Sequence, residues 1–430
     1  MLDAASQLAK PAADKLFRVP FVRVISHHDA DGITACGIVC HTLLRKNIPF
    51  QATNISNLDA TVEEILDPGV PVIFCDMGSG QPDIVNKYDA IILDHHVPLG
   101  THKNIQVNPH LIGVDGGSEM SASGVAYALA RVMGDNVDLA GLAISGAIGD
   151  KQKISGPNME ILDEAVKGGI ITVQKGMKLG KGPLEKVLEH SIDPYFDFSG
   201  KHRETDRFIE DMGLTGNIES LSPEDQKRLG SALSLLLLKK SPPESIDALF
   251  GDVYLLNREL IQDIYDFTNT VNSCGKMGMP GLGLELCLRH SAALKDAEEK
   301  RFEYSRQILD ALNEAITQVK DIGWVRCIDF QSSDVTGAVA STVIRYILPD
   351  KPLVVLNMDG DKVKVSARGT SSLIKQGLDL SMALREGAAL VGGSGGGHRI
   401  ASGAAIPAGS QRDFLEYVNT IIGRQIGGKV

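Results

Sequence analysis

The chain has 430 residues, of which 43% are hydrophobic and 23% charged, and it carries a net charge of −11 at pH 7. That length suits two or three domains with ample core, and the composition is that of an ordinary globular protein. It excludes a general polyanion binder, so a nucleic-acid partner must be drawn by local basic patches or bound metal.

No apolar run approaches the roughly 20 residues that cross a bilayer, so no membrane is expected as a partner. Residues 1–15 scatter charge among alanines and lack the apolar core of a signal segment. Strand signals begin at residues 21–25 and return at 70–75 and 90–93, as short Val/Ile-rich runs bounded by polar or Gly turns. Such runs mark buried parallel strands. Helical patterns lie at 33–45, 61–66 and 139–148, which predicts an α/β, doubly wound N-terminal domain with a parallel sheet over residues 1–170. Residues 171–320 lose the alternation and read as a helical insert and connector. Leucine-rich helices lie at 223–240 and 258–272, a Gly-rich break at 271–288, and a long amphipathic helix at 293–320. Residues 321–430 read as a smaller C-terminal α/β domain with a mixed sheet. Strands are expected at 324–330, 352–356 and 362–367, with a hairpin turn at 357–361, and a glycine cluster follows at 392–397. Six cysteines, at 36, 40, 75, 274, 287 and 327, include no CxxC pair. They read as buried free thiols of a reducing, cytoplasmic compartment.

The chemistry sits where strands end. The first strand runs into Ser26-His27-His28-Asp29-Ala30-Asp31-Gly32, the second into Asp76, and the third into Asp94-His95-His96. In an open parallel sheet these ends share one edge, where ligands bind. Asp150, after the apolar helix at 139–148, returns a further carboxylate. Crowded carboxylates repel and raise one another's pKa, and a divalent cation removes that cost. A mixture of carboxylate and imidazole favours Mn2+, with Mg2+ as the alternative. Two cations need a bridging carboxylate, and Asp76, alone on the middle strand end, is the candidate.

These residues resemble the motifs of the DHH phosphoesterase superfamily. His27-His28-Asp29-Ala30-Asp31-Gly32 is similar to its first motif, Phe74-Cys75-Asp76 to its second, Asp94-His95-His96 to the tripeptide that names it, and Gly149-Asp150 to its fourth. Gly392-Gly393-Ser394-Gly395-Gly396-Gly397-His398 and Ser366-Ala367-Arg368 resemble the phosphate-contacting elements of the associated C-terminal domain. Asn272-Ser273-Cys274-Gly275-Lys276-Met277-Gly278 resembles an element of RecJ-type single-strand exonucleases, with Lys276 where Arg is usual. Lysine keeps the charge but loses the two-pronged contact. His27 stands where bacterial RecJ has Asp, and the chain has no room for an extra OB-type domain, so the closer resemblance is to the archaeal RecJ-like group.

The resemblance implies a two-metal exonuclease that releases mononucleotides from single-stranded DNA or RNA, in DNA repair or replication. One cation would lie on His27, Asp29 and Asp76, the other on Asp31, Asp76, His95 and Asp150. Asp76, Asp94, His95 and His96 would be catalytic, with His96 on the scissile phosphate and Asp94 orienting an imidazole. Asn272, Lys276, Ser366, Arg368, Gly395, Gly396, Gly397 and His398 would bind phosphates. Two other roles fit the superfamily: cleavage of short oligonucleotides, pAp or cyclic dinucleotides, and a replication scaffold that binds GINS-type helicase subunits. Histidines 28, 102, 110, 190, 202 and 290 match no motif and are expected in the core or on the surface.

Overall fold

A computed structural model describes residues 1–330 and 335–427. The N-terminal elements are α1 (Leu2–Leu16), β1 (Val22–His27), α2 (Ala30–Arg45), β2 (Phe50–Ile55), β3 (Val72–Cys75), α3 (Pro82–Val85), β4 (Ala90–Leu93), β5 (Ile105–Val107), α4 (Ala122–Met133), α5 (Ala140–Gly149) and α6 (Gly156–Lys167). The middle carries β6 (Ile171–Met177), α7 (Leu184–Glu189), α8 (His202–Met212), α9 (Pro223–Leu238), β7 (Phe250–Leu256), α10 (Ile264–Lys276), α11 (Pro280–Cys287) and α12 (Leu294–Thr317). The remainder is β8 (Lys320–Asp321), β9 (Arg326–Phe330), α13 (Thr336–Thr342), β10 (Leu353–Asp359), β11 (Lys362–Arg368), α14 (Ser371–Gln376), α15 (Leu380–Leu390), β12 (Ser394–Gly397), β13 (Ala401–Pro407) and α16 (Gln411–Ile426).

The first sheet has the order β2-β1-β3-β4-β5, and each neighbouring pair is parallel. Its central strands β3 and β4 are apolar on both faces. Ile73, Cys75, Ile91 and Leu93 join the core under the helices, while Val72, Phe74, Ala90 and Ile92 join a smaller core with Leu58, Val62 and Tyr88 on the other side. This period of two explains why the sequence shows unbroken hydrophobic runs. The strand order reverses between β1 and β3, which is the crevice where a doubly wound sheet binds its ligand.

Several sequence expectations shift in detail. Residues 2–16 form a helix that buries Leu2, Ala5, Ala9, Ala12 and Leu16, although no helix is legible there from the scattered charges. The pattern at 61–66 is a short 3-10 turn over Ala60–Glu64. Most of the expected break at 271–288 is helical, because Gly275 and Gly283 serve packing. A Cβ on Gly275 would lie 1.6 Å from the His28 carbonyl oxygen, and one on Gly283 3.3 Å from Cys274 Cβ. Only the turn around Gly278, at φ +74°, interrupts it.

The chain forms two compact units, residues 1–176 with 252–304 and residues 177–251 with 305–430. The segment 171–320, read from sequence as one insert and connector, is therefore divided between them. Residues 252–304 belong to the first unit because they dock closely on its helices. A Cβ on Gly37 of α2 would lie 2.6 Å from Cys287 Cβ of α11. Arg289 donates to Asp138 Oδ2 at 2.8 Å and to the buried Glu259 at 2.9 Å. In the second unit a mixed sheet has the order β12-β13-β11-β10-β9-β8, with β9 and β10 parallel and the other pairs antiparallel. Val363, Val365 and Ala367 of β11 point into a core completed by Leu384, Phe414 and Val418. All six cysteines are buried free thiols. Among the described residues no helix is long and apolar enough to cross a membrane.

Candidate metal centre

β1 delivers His27 to the sheet edge, and α2 starts almost on top of it. Asp29 caps α2 by accepting the Gly32 N–H at 3.1 Å. Position 32 must be glycine, since a Cβ there would sit 2.5 Å from the His27 carbonyl oxygen. Asp31 then falls in the first turn of α2 and is fully buried. Its carboxylate reaches the N-terminus of α4, where Oδ2 accepts the Ala122 N–H at 2.7 Å and Oδ1 the Ser123 N–H at 2.9 Å. The free N–H groups of a helix start are a natural seat for a carboxylate. Gly146 lets α5 pass beside it, because a Cβ at 146 would lie 2.3 Å from Asp31 Oδ1.

Asp76 leaves β3 with φ +61°, a left-handed conformation that is uncommon for a residue with a side chain and that concentrates at functional sites. Its two oxygens face different partners. Oδ2 lies 3.3 Å from His27 Nδ1, and Oδ1 lies 3.2 Å from His95 Nε2. His27 Nδ1 is also 2.9 Å from Asp29 Oδ2, and His95 Nε2 is 3.3 Å from Asp150 Oδ2 and 4.0 Å from Asp31 Oδ2. The six expected metal ligands therefore come together around one carboxylate. His27, Asp29 and Asp76 form one group, and Asp31, His95 and Asp150 another, the ligand atoms within each lying inside 4.8 Å of one another.

Two details test whether a cation fits. Asp76 Oδ1 is buried and has no hydrogen-bond partner, although the His95 ring lies beside it. A buried carboxylate oxygen that has a charged ring nearby but no well-aligned donor is a seat that a cation would complete. His95 Nδ1 lies 2.7 Å from the Gly116 carbonyl oxygen, to which it donates. That leaves Nε2 as the atom turned toward the three acids, the usual arrangement of a ligating imidazole.

Electrostatics agree. Burial opposes a charged His27, but hydrogen bonds to Asp29 and Asp76 outweigh it and push its pKa up to about 10. Burial, reinforced by the charge of Asp76, pushes Asp31 up to about 6. Burial, then the charge of Asp31, holds Asp150 well above the usual carboxylate range. His95 is raised as well, since Asp76 and Asp150 overcome the effect of its burial. Without metal the cluster holds extra protons, which is what a site built for positive charge does.

Asp94 lies with Asp76, His95 and His96 in a third group of ligand-type side chains, but its own oxygens are taken by protein donors. It is buried, and its oxygens accept from the backbone N–H of Ser79 (2.9 Å), His95 (2.8 Å) and His96 (3.2 Å) and from His96 Nδ1 (2.8 Å). It fixes the Nδ1 side of His96, whose side chain is 60% exposed. The hydrogen bond to Asp94 raises the His96 pKa against a smaller opposing effect of burial. Ser79 and Asn108, which no motif flagged, hold this arrangement. Asn108 Nδ2 donates to Ser79 Oγ at 2.9 Å and to the His96 carbonyl at 2.8 Å.

Lys276 also belongs here. It ends α10, and its Nζ lies 3.4 Å from His28 Nε2. Burial, followed by the charge of Lys276, pushes the His28 pKa down to about 4, so His28 is a neutral partner of that ammonium and not a bystander. Its position inside the first motif was the available signal. Asn272 lies one turn before Lys276 on the same helical face.

The remaining expected residues lie in the second unit. Ser366 pairs with Gly403, and Gly403 pairs with Gly396, so the two motif elements fall in one row across β11, β13 and β12. The half-buried Arg368 guanidinium donates to Ser341 Oγ at 3.2 Å and to the Ala367 carbonyl at 2.9 Å. Burial pushes its pKa down from the ordinary value. The glycines divide by role. A Cβ on Gly395 would lie 2.7 Å from the Leu384 carbonyl oxygen, whereas Gly396 faces open space. His398 is exposed, in the turn that joins β12 to β13.

Residues 21–147 match the DHH family N-terminal domain, and residues 325–424 match the DHHA1 domain. An uncharacterised protein of Methanocaldococcus jannaschii is 33% identical over 422 residues, which is 94% of each chain. The fold is similar to that of RecJ from Thermus thermophilus, solved in complex with Mn2+, at a TM-score of 0.62 and 17% identity, covering 98% of this chain. The chain spans 55% of the length of that RecJ. Cdc45 from Entamoeba histolytica is similar at a TM-score of 0.66 and 12% identity, with 97% of this chain and 99% of that one covered.

Proposed function

Because the chain belongs to the DHH superfamily and is RecJ-like, we propose that its phosphoesterase fold works as a metal-dependent exonuclease on single-stranded DNA or RNA. The observation that carries this reading is Asp76, whose two oxygens face two groups of ligand-type side chains and whose buried Oδ1 has no well-aligned hydrogen bond.

His27, Asp29 and Asp76 would hold one divalent cation, and Asp31, Asp76, His95 and Asp150 the other, with Mn2+ favoured by the mixed donor set and Mg2+ as the alternative. Bound cations would supply a water of lowered pKa and offset the charge of the phosphate. The protein's own groups do the rest. Asp94 takes His96 Nδ1, which directs Nε2 toward a phosphate oxygen, where a raised pKa keeps a proton available for donation. Lys276 adds positive charge beside the first motif, with His28 as its neutral partner. In the second unit, Arg368 would supply positive charge and Gly396, with no side chain, close approach to a phosphate, with Ser366 in the same row and His398 at the turn.

The test is turnover of end-labelled single-stranded DNA, single-stranded RNA and dinucleotides in the presence of Mn2+. A ladder of shortened oligomers supports the exonuclease. Turnover of dinucleotides alone would replace it with a short-nucleotide phosphodiesterase. Mn2+ binding without turnover of any substrate would contradict both and leave a replication scaffold for GINS-type partners.

A further inference from the structure

Gln152 matches no motif and is nearly buried, yet it links two of the six metal-ligand candidates. Its Nε2 donates to the Gly116 carbonyl oxygen at 2.8 Å, the same oxygen that receives His95 Nδ1–H at 2.7 Å. Its backbone N–H donates to the Ala147 carbonyl at 2.9 Å, in the tight turn that ends α5 and carries Asp150. Lys151, between them, sits at φ +55°, so this turn has little freedom to slide.

The orientation of the Gln152 amide is forced from outside. Asn158 is fully buried in the first turn of α6, and its Nδ2 donates to the Lys153 carbonyl at 3.1 Å and to Gln152 Oε1 at 3.0 Å. A backbone carbonyl can only accept, so Asn158 must present its NH2 there. Gln152 must then accept with Oε1 and donate with Nε2. The Gly116 carbonyl uses both lone pairs as an acceptor, for Gln152 and for His95. That carbonyl already dictates which His95 nitrogen carries the proton. What Gln152 adds is the position of the carbonyl, and with it the position of the ring relative to Asp150.

We infer that Gln152 is a positioning residue that sets the separation of His95 and Asp150, and thereby the cation affinity at their half of the centre. The inference rests on the two-cation reading proposed above. By contrast, Asp29 in the other group is tied down by its own helix cap.

The experiment is a Mn2+ titration of the full chain followed by electron paramagnetic resonance, for wild type, Gln152→Met and Gln152→Glu. Methionine keeps the volume and removes both side-chain hydrogen bonds. Glutamate keeps the shape and the acceptor for Asn158 and, measured at the alkaline end of the titration where a buried carboxyl has lost its proton, no longer donates to Gly116. The expected result is a loss of roughly 10- to 100-fold in one of the two Mn2+ affinities in both variants, with the other affinity and the thermal midpoint of the metal-free chain retained. If the methionine variant fails to fold, the glutamate variant decides. Wild-type affinities at both sites in a folded variant would overturn the inference. So would equal weakening at both sites with a lowered thermal midpoint, which is the mark of general structural damage. Absence of Mn2+ binding by the wild type would instead sink the two-cation reading itself.

Discussion

In the first unit, Asp29, Asp31, Asp76, Asp94 and Asp150 converge with His27, His95 and His96, and each is held by a helix cap, a strand end or a buried amide. In the second, the phosphate-type elements are sparse: one half-buried guanidinium on β11, an open glycine on the edge strand β12, and an exposed histidine in a turn. The first arrangement concentrates opposing charges and fixes them in place before anything binds, which is what chemistry at phosphorus requires. The second has little to fix and suits recognition of a phosphate that does not react. The two should fail differently when disturbed.

The largest effect is expected from Asp76→Asn. Asparagine tolerates the positive φ that alanine would resist, so the backbone survives while the bridging charge is lost. Turnover should fall about 10³-fold or more, with an unchanged circular dichroism spectrum. Residual turnover near wild type would mean that Asp76 bridges nothing.

Next comes pH. In the metal-free chain His27 is protonated below about 10, because hydrogen bonds to Asp29 and Asp76 outweigh its burial, and Asp31 below about 6, because burial and the charge of Asp76 raise it. A ligating imidazole or carboxylate must give up its proton, so binding releases at least one proton above pH 6 and at least two below it. Mn2+ affinity should therefore rise with pH by about tenfold per unit or more between 6 and 8, and more steeply below 6. Isothermal titration in buffers of different ionisation enthalpy counts the released protons. A pH-independent affinity would contradict the charge balance described for the centre.

Arg368→Lys and Arg368→Ala address the second region. Loss of a charge-assisted contact to phosphate is worth about 1.5–3 kcal/mol, which appears as a rise of roughly tenfold to hundredfold in KM with kcat nearly kept. A fall in kcat at constant KM would move Arg368 from recognition into chemistry.

The smallest effects separate two neighbouring glycines. Gly395→Ala should cost about 1–3 kcal/mol of stability, because its Cβ meets the Leu384 carbonyl oxygen at 2.7 Å. Gly396→Ala has open space and should leave the thermal midpoint within a degree or two, while KM rises a few-fold if a phosphate approaches that backbone. Equal behaviour of the two variants would remove the distinction.

The convergence of candidate residues was legible in the sequence because three motifs follow apolar runs that read as buried strands, and parallel strands end on one edge, while Asp150 closes an apolar helix. The supports were not. Ser79, Asn108, Gln152 and Asn158 are ordinary polar residues whose roles appear only when loops distant in sequence meet. Helix α1 was hidden by its small apolar stripe of alanines, and β2 by a half-exposed run that lacks a clean alternation. The Gly-rich stretch near Gly275 misled for a physical reason: a glycine demanded by close packing looks, in sequence, like a glycine that ends a helix.

On the proposed reading, Asp76 joins two cation sites into one centre. Electron paramagnetic resonance during a Mn2+ titration of the wild-type chain tests it most directly. Saturation is expected at two ions per chain, with the second ion producing an exchange-coupled spectrum through the shared carboxylate. Saturation at one ion, or two ions whose signals add without coupling, would contradict it.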